Sequence, residues 1–203
     1  MAQCELEHEL SFRVPLILFE TREDFERQSI APGADLSFVR SFSEPGRDRV
    51  ALLVDEHAED LSYRITHEVT HIFMFDLIPR SQTGPPGLPA WFDEEIAESM
   101  TAAWPPDEFA QVRALVESGA VPRLTNWTPG SFENVRSFYN LGRVVFEFIE
   151  ATYGKDGMRR FVRAFPSDGT VDTDTVYEEA FNVTASEFQQ ALAAYVRERF
   201  APA

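Results

Sequence analysis

With 203 residues, 44% of them hydrophobic and 13% aromatic, the chain carries enough apolar material for a sizeable core and has the length of one domain or two small lobes. Its 34 acidic and 18 basic side chains leave a formal net charge of -16, which repels a phosphate backbone or an anionic membrane surface and argues against nucleic-acid and membrane binding. The single cysteine, Cys4, excludes an intramolecular disulfide and a Cys-rich metal site.

The first long apolar run, Val14 to Phe19, is interrupted by Pro15, follows the acidic Glu5, Glu7 and Glu9, and is too short to span a bilayer. The expectation is a cytoplasmic protein, or a secreted one if a leader has been removed. Phe12 to Phe19 is a predicted strand, and Arg22 to Gln28 a short polar helix that stops before Ala31-Pro32-Gly33. Leu36 to Phe42 and Arg49 to Val54 are predicted strands separated by the turn signal Ser43-Glu44-Pro45-Gly46. The first quarter therefore reads as a small sheet with one helix.

From about Asp60 to Leu77 the period turns helical, with Ile65, Val69, Ile72 and Phe73 on one apolar stripe. On this helix His67-Glu68-Val69-Thr70-His71 spells H-E-x-x-H. Two histidines four apart share a helix face and can reach one metal ion, while the Glu between them is placed to act on a water bound to it. At about 100° per residue both histidines fall nearly opposite the apolar stripe, so packing that stripe on the sheet aims them at a cleft. The helix has to end before Pro79.

Ser81-Gln82-Thr83-Gly84-Pro85-Pro86-Gly87 is the strongest break in the chain. A second long helix is predicted from Pro89 to Trp104-Pro105-Pro106, and further ones at Asp107 to Ser118, Phe132 to Tyr153 closed by Gly154, and Gly157 to Phe165 stopped by Pro166. Thr184 and Glu187 form a capping box for a last helix with Phe188, Leu192, Tyr195 and Val196 on its apolar stripe.

A catalytic zinc with two His ligands takes a third protein ligand and keeps a fourth position for water. With no Cys nearby the third has to be a carboxylate or another His, and Trp91-Phe92-Asp93-Glu94-Glu95-Ile96-Ala97-Glu98 offers several carboxylates on a helix. Twenty-two residues separate His71 from Glu94, a loop long enough for the second helix to fold back across the first.

His67-Glu68-x-x-His71 followed by Leu88-Pro89-x-Trp91-Phe92-Asp93-Glu94-x-x-Ala97-Glu98 resembles the gluzincin metallopeptidases, with thermolysin-like and aminopeptidase-N-like motifs in a peptidase MA-like domain. The resemblance runs from about Ser62 to Phe165 and loosely to the end. It implies one Zn2+ held by His67, His71 and Glu94, with Glu68 as the catalytic general base and Glu98 orienting a ligand histidine. Tyr139-Asn140-Leu141-Gly142 is similar to the Y-x-K-G segment of the aminopeptidase-N-like group, which implies that Tyr139 stabilises the oxyanion.

The implied fold is α+β and zincin-like: a small mixed N-terminal sheet packed on the H-E-x-x-H helix and a mostly helical C-terminal lobe, with the active-site cleft between them. Residues 1–203 are expected to form a single catalytic domain, the N-terminal sublobe covering roughly 1–80 and the helical sublobe roughly 88–203. The implied partner is a peptide or protein substrate. Two departures bear on this: Glu95 stands where the family usually has Gly, and the G-A-M-E-N segment that recognises a free amino terminus is absent, which favours an endopeptidase. A catalytically weak or inactive zincin-like binding module is the alternative reading, and hydrolysis of a non-peptide amide is a third.

Overall fold

A computed structural model of the chain describes residues 7–27, 39–54, 60–78, 90–101, 106–118, 135–165 and 173–201. The architecture is mixed α+β. In chain order it comprises β1 (Leu16–Phe19), α1 (Arg22–Arg27), β2 (Ser41–Glu44), a short 3-10 turn (Pro45–Arg47), β3 (Arg49–Leu53), α2 (Leu61–Leu77), α3 (Ala90–Ser99), α4 (Pro106–Glu117), α5 (Val135–Arg163), α6 (Thr173–Phe181) and α7 (Ala185–Arg199). None of the described helices is long and apolar enough to cross a membrane.

The sheet is mixed and ordered β1-β3-β2, with β1 parallel and β2 antiparallel to β3. As the central strand, β3 is apolar on both faces, because its alternating side chains enter two separate clusters. Ala51 and Leu53 meet Phe25 of α1, while Val50 and Leu52 meet Ile72 of α2. Leu61, Ile65 and Val69 of α2 complete the second cluster with Leu10, Phe12 and Val14 from the segment before β1.

Several predicted boundaries shift. β1 begins at Leu16 rather than Phe12; Pro15 has no N–H to give a ladder, though its carbonyl accepts from the Val50 N–H at 3.0 Å. β2 runs through Ser43 and Glu44, which pair with Val50 and Arg49, so the reversal falls at Pro45–Arg47 and at Asp48, a left-handed residue (φ 49). The Glu44 carboxylate is buried between Arg47 and Arg49 and closes this hairpin. The predicted strand residues 36–38 and the 81–87 loop lie outside the described residues.

Phe73 does not join the stripe that packs on the sheet. Ile72 still packs on the sheet, but Phe73 points about 100° further round the helix. Phe73, Met74, Leu77 and Ile78 instead enter the helical core. That core is aromatic: Phe161 lies within 6.5 Å, centroid to centroid, of Phe92, Phe146, Phe165, Tyr177, Phe181 and Phe188. Phe92, Ile96 and Met100 attach α3 to this core at helical spacing.

α5 carries the predicted break at Gly154, whose backbone is non-helical (φ 69, ψ -177). The expected gap is absent, since helix resumes at once and reaches Arg163. α7 has the predicted capping box, with Thr184 Oγ1 accepting from the Glu187 N–H and the Glu187 carboxylate accepting from the Thr184 N–H. α6 was not among the predicted elements.

Candidate metal centre

α2 is anchored at its first turns by Arg64, a buried cation whose guanidinium donates to the Leu53 carbonyl at 2.7 Å, the Arg40 carbonyl at 3.2 Å and the Asp60 carboxylate at 3.0 Å. With Ile65, Val69 and Ile72 committed to the sheet, the face bearing His67 and His71 turns toward α3. On α3, Phe92, Ile96 and Met100 are committed to the core, which leaves Asp93, Glu94 and Glu98 facing the histidines.

His67, His71 and Glu94 form a group whose ligand atoms all lie within 4.8 Å of one another, and it is the one such group among the described residues. The two Nε2 atoms are 3.2 Å apart, and Glu94 Oε2 lies 3.4 Å from His67 Nε2 and 3.8 Å from His71 Nε2. Ligands about 2.1 Å from a tetrahedral ion sit roughly 3.4 Å from each other, so the three atoms outline one face of such a tetrahedron. The donor set of two imidazoles and one carboxylate fits a borderline cation, and the group could hold a metal ion.

Each ring has its own carboxylate behind it. His67 Nδ1 is 3.8 Å from Glu98 Oε1, and His71 Nδ1 is 3.5 Å from Asp93 Oδ1. These distances are long for hydrogen bonds, and both Nδ1 atoms lack a well-formed one among the described residues. The adjacent negative charge still assigns Nδ1–H to both rings, so that both Nε2 atoms face the shared point. Glu98 Oε1 also accepts from Tyr63 Oη at 2.5 Å, and Tyr63 stacks along His67 with centroids 6.1 Å apart.

Electrostatics at this point favour positive charge. Burial pulls the His71 imidazole down, but the Asp93 carboxylate, followed by Glu94 and Glu68, more than offsets it and carries the pKa up to about 9. With Nδ1–H turned to Asp93, the proton that charges His71 goes to Nε2, the atom a cation needs. Glu68 is buried, and burial raises its pKa, opposed by His71, His67 and the hydroxyl of Ser41. Ser41 Oγ donates to Glu68 Oε1 at 2.8 Å. One carboxylate oxygen is thus held by strand β2.

The structure places His67, His71, Glu94, Glu98 and Glu68 near one another. Tyr139 belongs to α5, but its side chain lies outside the described residues. Of the rivals to Glu94, Asp93 faces a ring nitrogen on the far side from the shared point, and Glu95 is buried on another side of α3. His8 pairs with Asp76 at 2.7 Å and meets the edge of Phe73. Ser41 and Tyr63 escaped the sequence reading, and Asp93 entered it only as one of several candidate carboxylates. Tyr63 was accessible to it, being one turn before His67 on the same helix face.

Removing the Tyr63 hydroxyl is expected to loosen Glu98 and so His67. Tyr63→Phe should weaken zinc binding about tenfold, measured by competition with a chromophoric chelator, with little change in the melting of the metal-free protein. Unchanged affinity would make the hydroxyl a surface contact only.

Comparison of the chain with known protein families, with curated proteins and with solved structures finds no match.

Proposed function

We propose that the protein is a zinc-dependent peptidase of the gluzincin kind, with a zincin-like arrangement of sheet, H-E-x-x-H helix and helical lobe. The observation that carries this reading is the convergence of His67 Nε2, His71 Nε2 and Glu94 Oε2 at tetrahedral spacing, with the buried Glu68 carboxylate beside them. A zinc ion bound there supplies Lewis acidity that brings a water's pKa close to neutral.

Glu68 takes the proton of the attacking water and returns it to the leaving amine. Ser41 occupies Glu68 Oε1, which leaves the other oxygen as the basic atom. Asp93 and Glu98 keep the two rings in the tautomer that presents Nε2. Tyr139 takes the role of oxyanion donor by its place in the motif.

A peptide fits along β2. That strand is an edge of the sheet, its described residues pair only with β3, and Ser41 joins it to Glu68. Backbone hydrogen bonds to its open side would lay an extended chain beside the general base.

Metal analysis of the purified protein, with digestion of a mixed peptide pool in the presence and absence of a chelator, tests the proposal. Stoichiometric zinc and chelator-sensitive cleavage are expected. Zinc without cleavage would favour a binding module, a reading to which the buried Glu95 beside Glu94 lends support. No metal and no cleavage would remove both.

A further inference from the structure

Glu95 is a buried acid that the chemistry above does not use and, unlike Glu44 in its hairpin, it stands on α3 next to Glu94. It is 0% exposed, and its side chain lies across Gly142 of α5: a Cβ at Gly142 would stand 1.9 Å from Glu95 Cγ and 2.5 Å from Cδ. The Arg143 N–H and guanidinium are the donors beside its carboxyl group. Burial, followed by the charges of Glu98 and Glu94, pushes its pKa well up.

The location matters more than the charge. Successive residues on a helix point about 100° apart, so the turn of α3 that sends Glu95 into α5 sends Glu94 toward α2. Phe92, Ile96 and Met100 hold α3 on the aromatic core through apolar contacts, which are non-directional and fix its rotation less sharply than an interlocked side chain does. The Glu95 side chain lies over a position that has no side chain of its own and supplies that interlock.

We infer that Glu95 and Gly142 form a steric key between α3 and α5 that sets where the Glu94 carboxylate stands relative to His67 and His71, which makes both positioning residues of the metal centre. The inference rests on the metal-centre reading, though not on peptidase activity. It also gives a physical role to the acid found where the resembling family carries Gly. The side chain present at position 95 needs the notch at position 142.

A double-variant cycle read by cation affinity tests it, with Zn2+ measured by chelator competition and Co2+ by its visible spectrum. Gly142→Ala installs the better helix former, so lost affinity would come from the clash; a drop of about ten- to hundredfold is expected. Glu95→Gly combined with Gly142→Ala should recover most of it, and Glu95→Gln, which keeps the shape, should bind within about twofold of the unaltered protein.

Gly142→Ala binding as tightly as the unaltered chain would overturn the key. So would a double variant no better than Gly142→Ala alone, whether from misfolding or from weak binding, since the clash is gone there. A large loss in Glu95→Gln would show that charge, not shape, is at work and would overturn it as well. If the unaltered protein binds neither cation, it is the metal-centre reading that fails.

Discussion

Replacing Glu68 by Gln is expected to reduce turnover by about a hundred- to ten-thousandfold while zinc stoichiometry stays at one per chain. The amide keeps the shape of the side chain and still accepts from Ser41 Oγ, now 2.8 Å from Glu68 Oε1. It can neither take a proton from water nor deliver one to the leaving amine. Because burial already works against the Glu68 carboxylate, a neutral amide at this place relieves a desolvation cost, and the variant should melt no lower than the unaltered protein.

The pair of readouts separates two roles. Lost turnover with retained metal and retained melting makes Glu68 the base. Lost metal would make it part of the cation's support, and unchanged turnover would leave the reaction without the base proposed for it. A smaller, graded effect is expected of Ser41, since it only holds the carboxylate oxygen that Glu68 does not use as the base.

The site was legible because its parts lie on two helices whose periodicity can be read locally. His67, Glu68 and His71 follow from one helical turn and its apolar stripe, whereas Glu94 and Glu98 stand out from several neighbouring carboxylates only by their resemblance to the gluzincin motif, a choice that periodicity leaves open. What joins separate elements was not legible. Ser41 is 27 residues from Glu68, and nothing in the local pattern of β2 says that its hydroxyl ends over α2. Asp93 was noticed only as a competing ligand, because whether it faces Nδ1 or Nε2 is decided by the crossing of α2 and α3.

The same limit explains the fold-level differences. Phe73 reads in sequence as part of the apolar stripe of α2, but it lies about 100° round the helix from Ile72, at the margin of that stripe, and its burial partner is the helical core. α6 has a readable pattern, with Val176, Tyr177, Ala180 and Phe181 buried at i, i+1, i+4 and i+5. At nine residues it is too short for its own propensity to announce it, and packing on α5 is what makes it a helix.

Cation binding is expected to strengthen steeply with pH. His71 is held protonated in the metal-free chain up to about 9, and a metal ligand has to be the neutral imidazole. Below that pH each bound cation displaces one proton from His71, so affinity should rise about tenfold per pH unit from near neutrality and level off once His71 has lost its proton in the free protein. Chelator competition across a pH series measures the slope. A flat profile over this window would mean that no proton stands at the shared point.

The stability of the metal-free protein should move the other way. The folded pKa of His71 lies above the ordinary value of 6.5, so the charged imidazole stabilises the fold fully below that value and the contribution is lost as pH rises through about 9. Metal-free melts should therefore fall across the same interval in which cation affinity climbs. Adding zinc at a hundred times its dissociation constant should restore about 2.7 kcal/mol. His71→Ala should remove both trends together, with a loss of affinity beyond the roughly hundredfold that a change behind the ligands can cause, because the same nitrogen carries the proton in one state and the cation in the other.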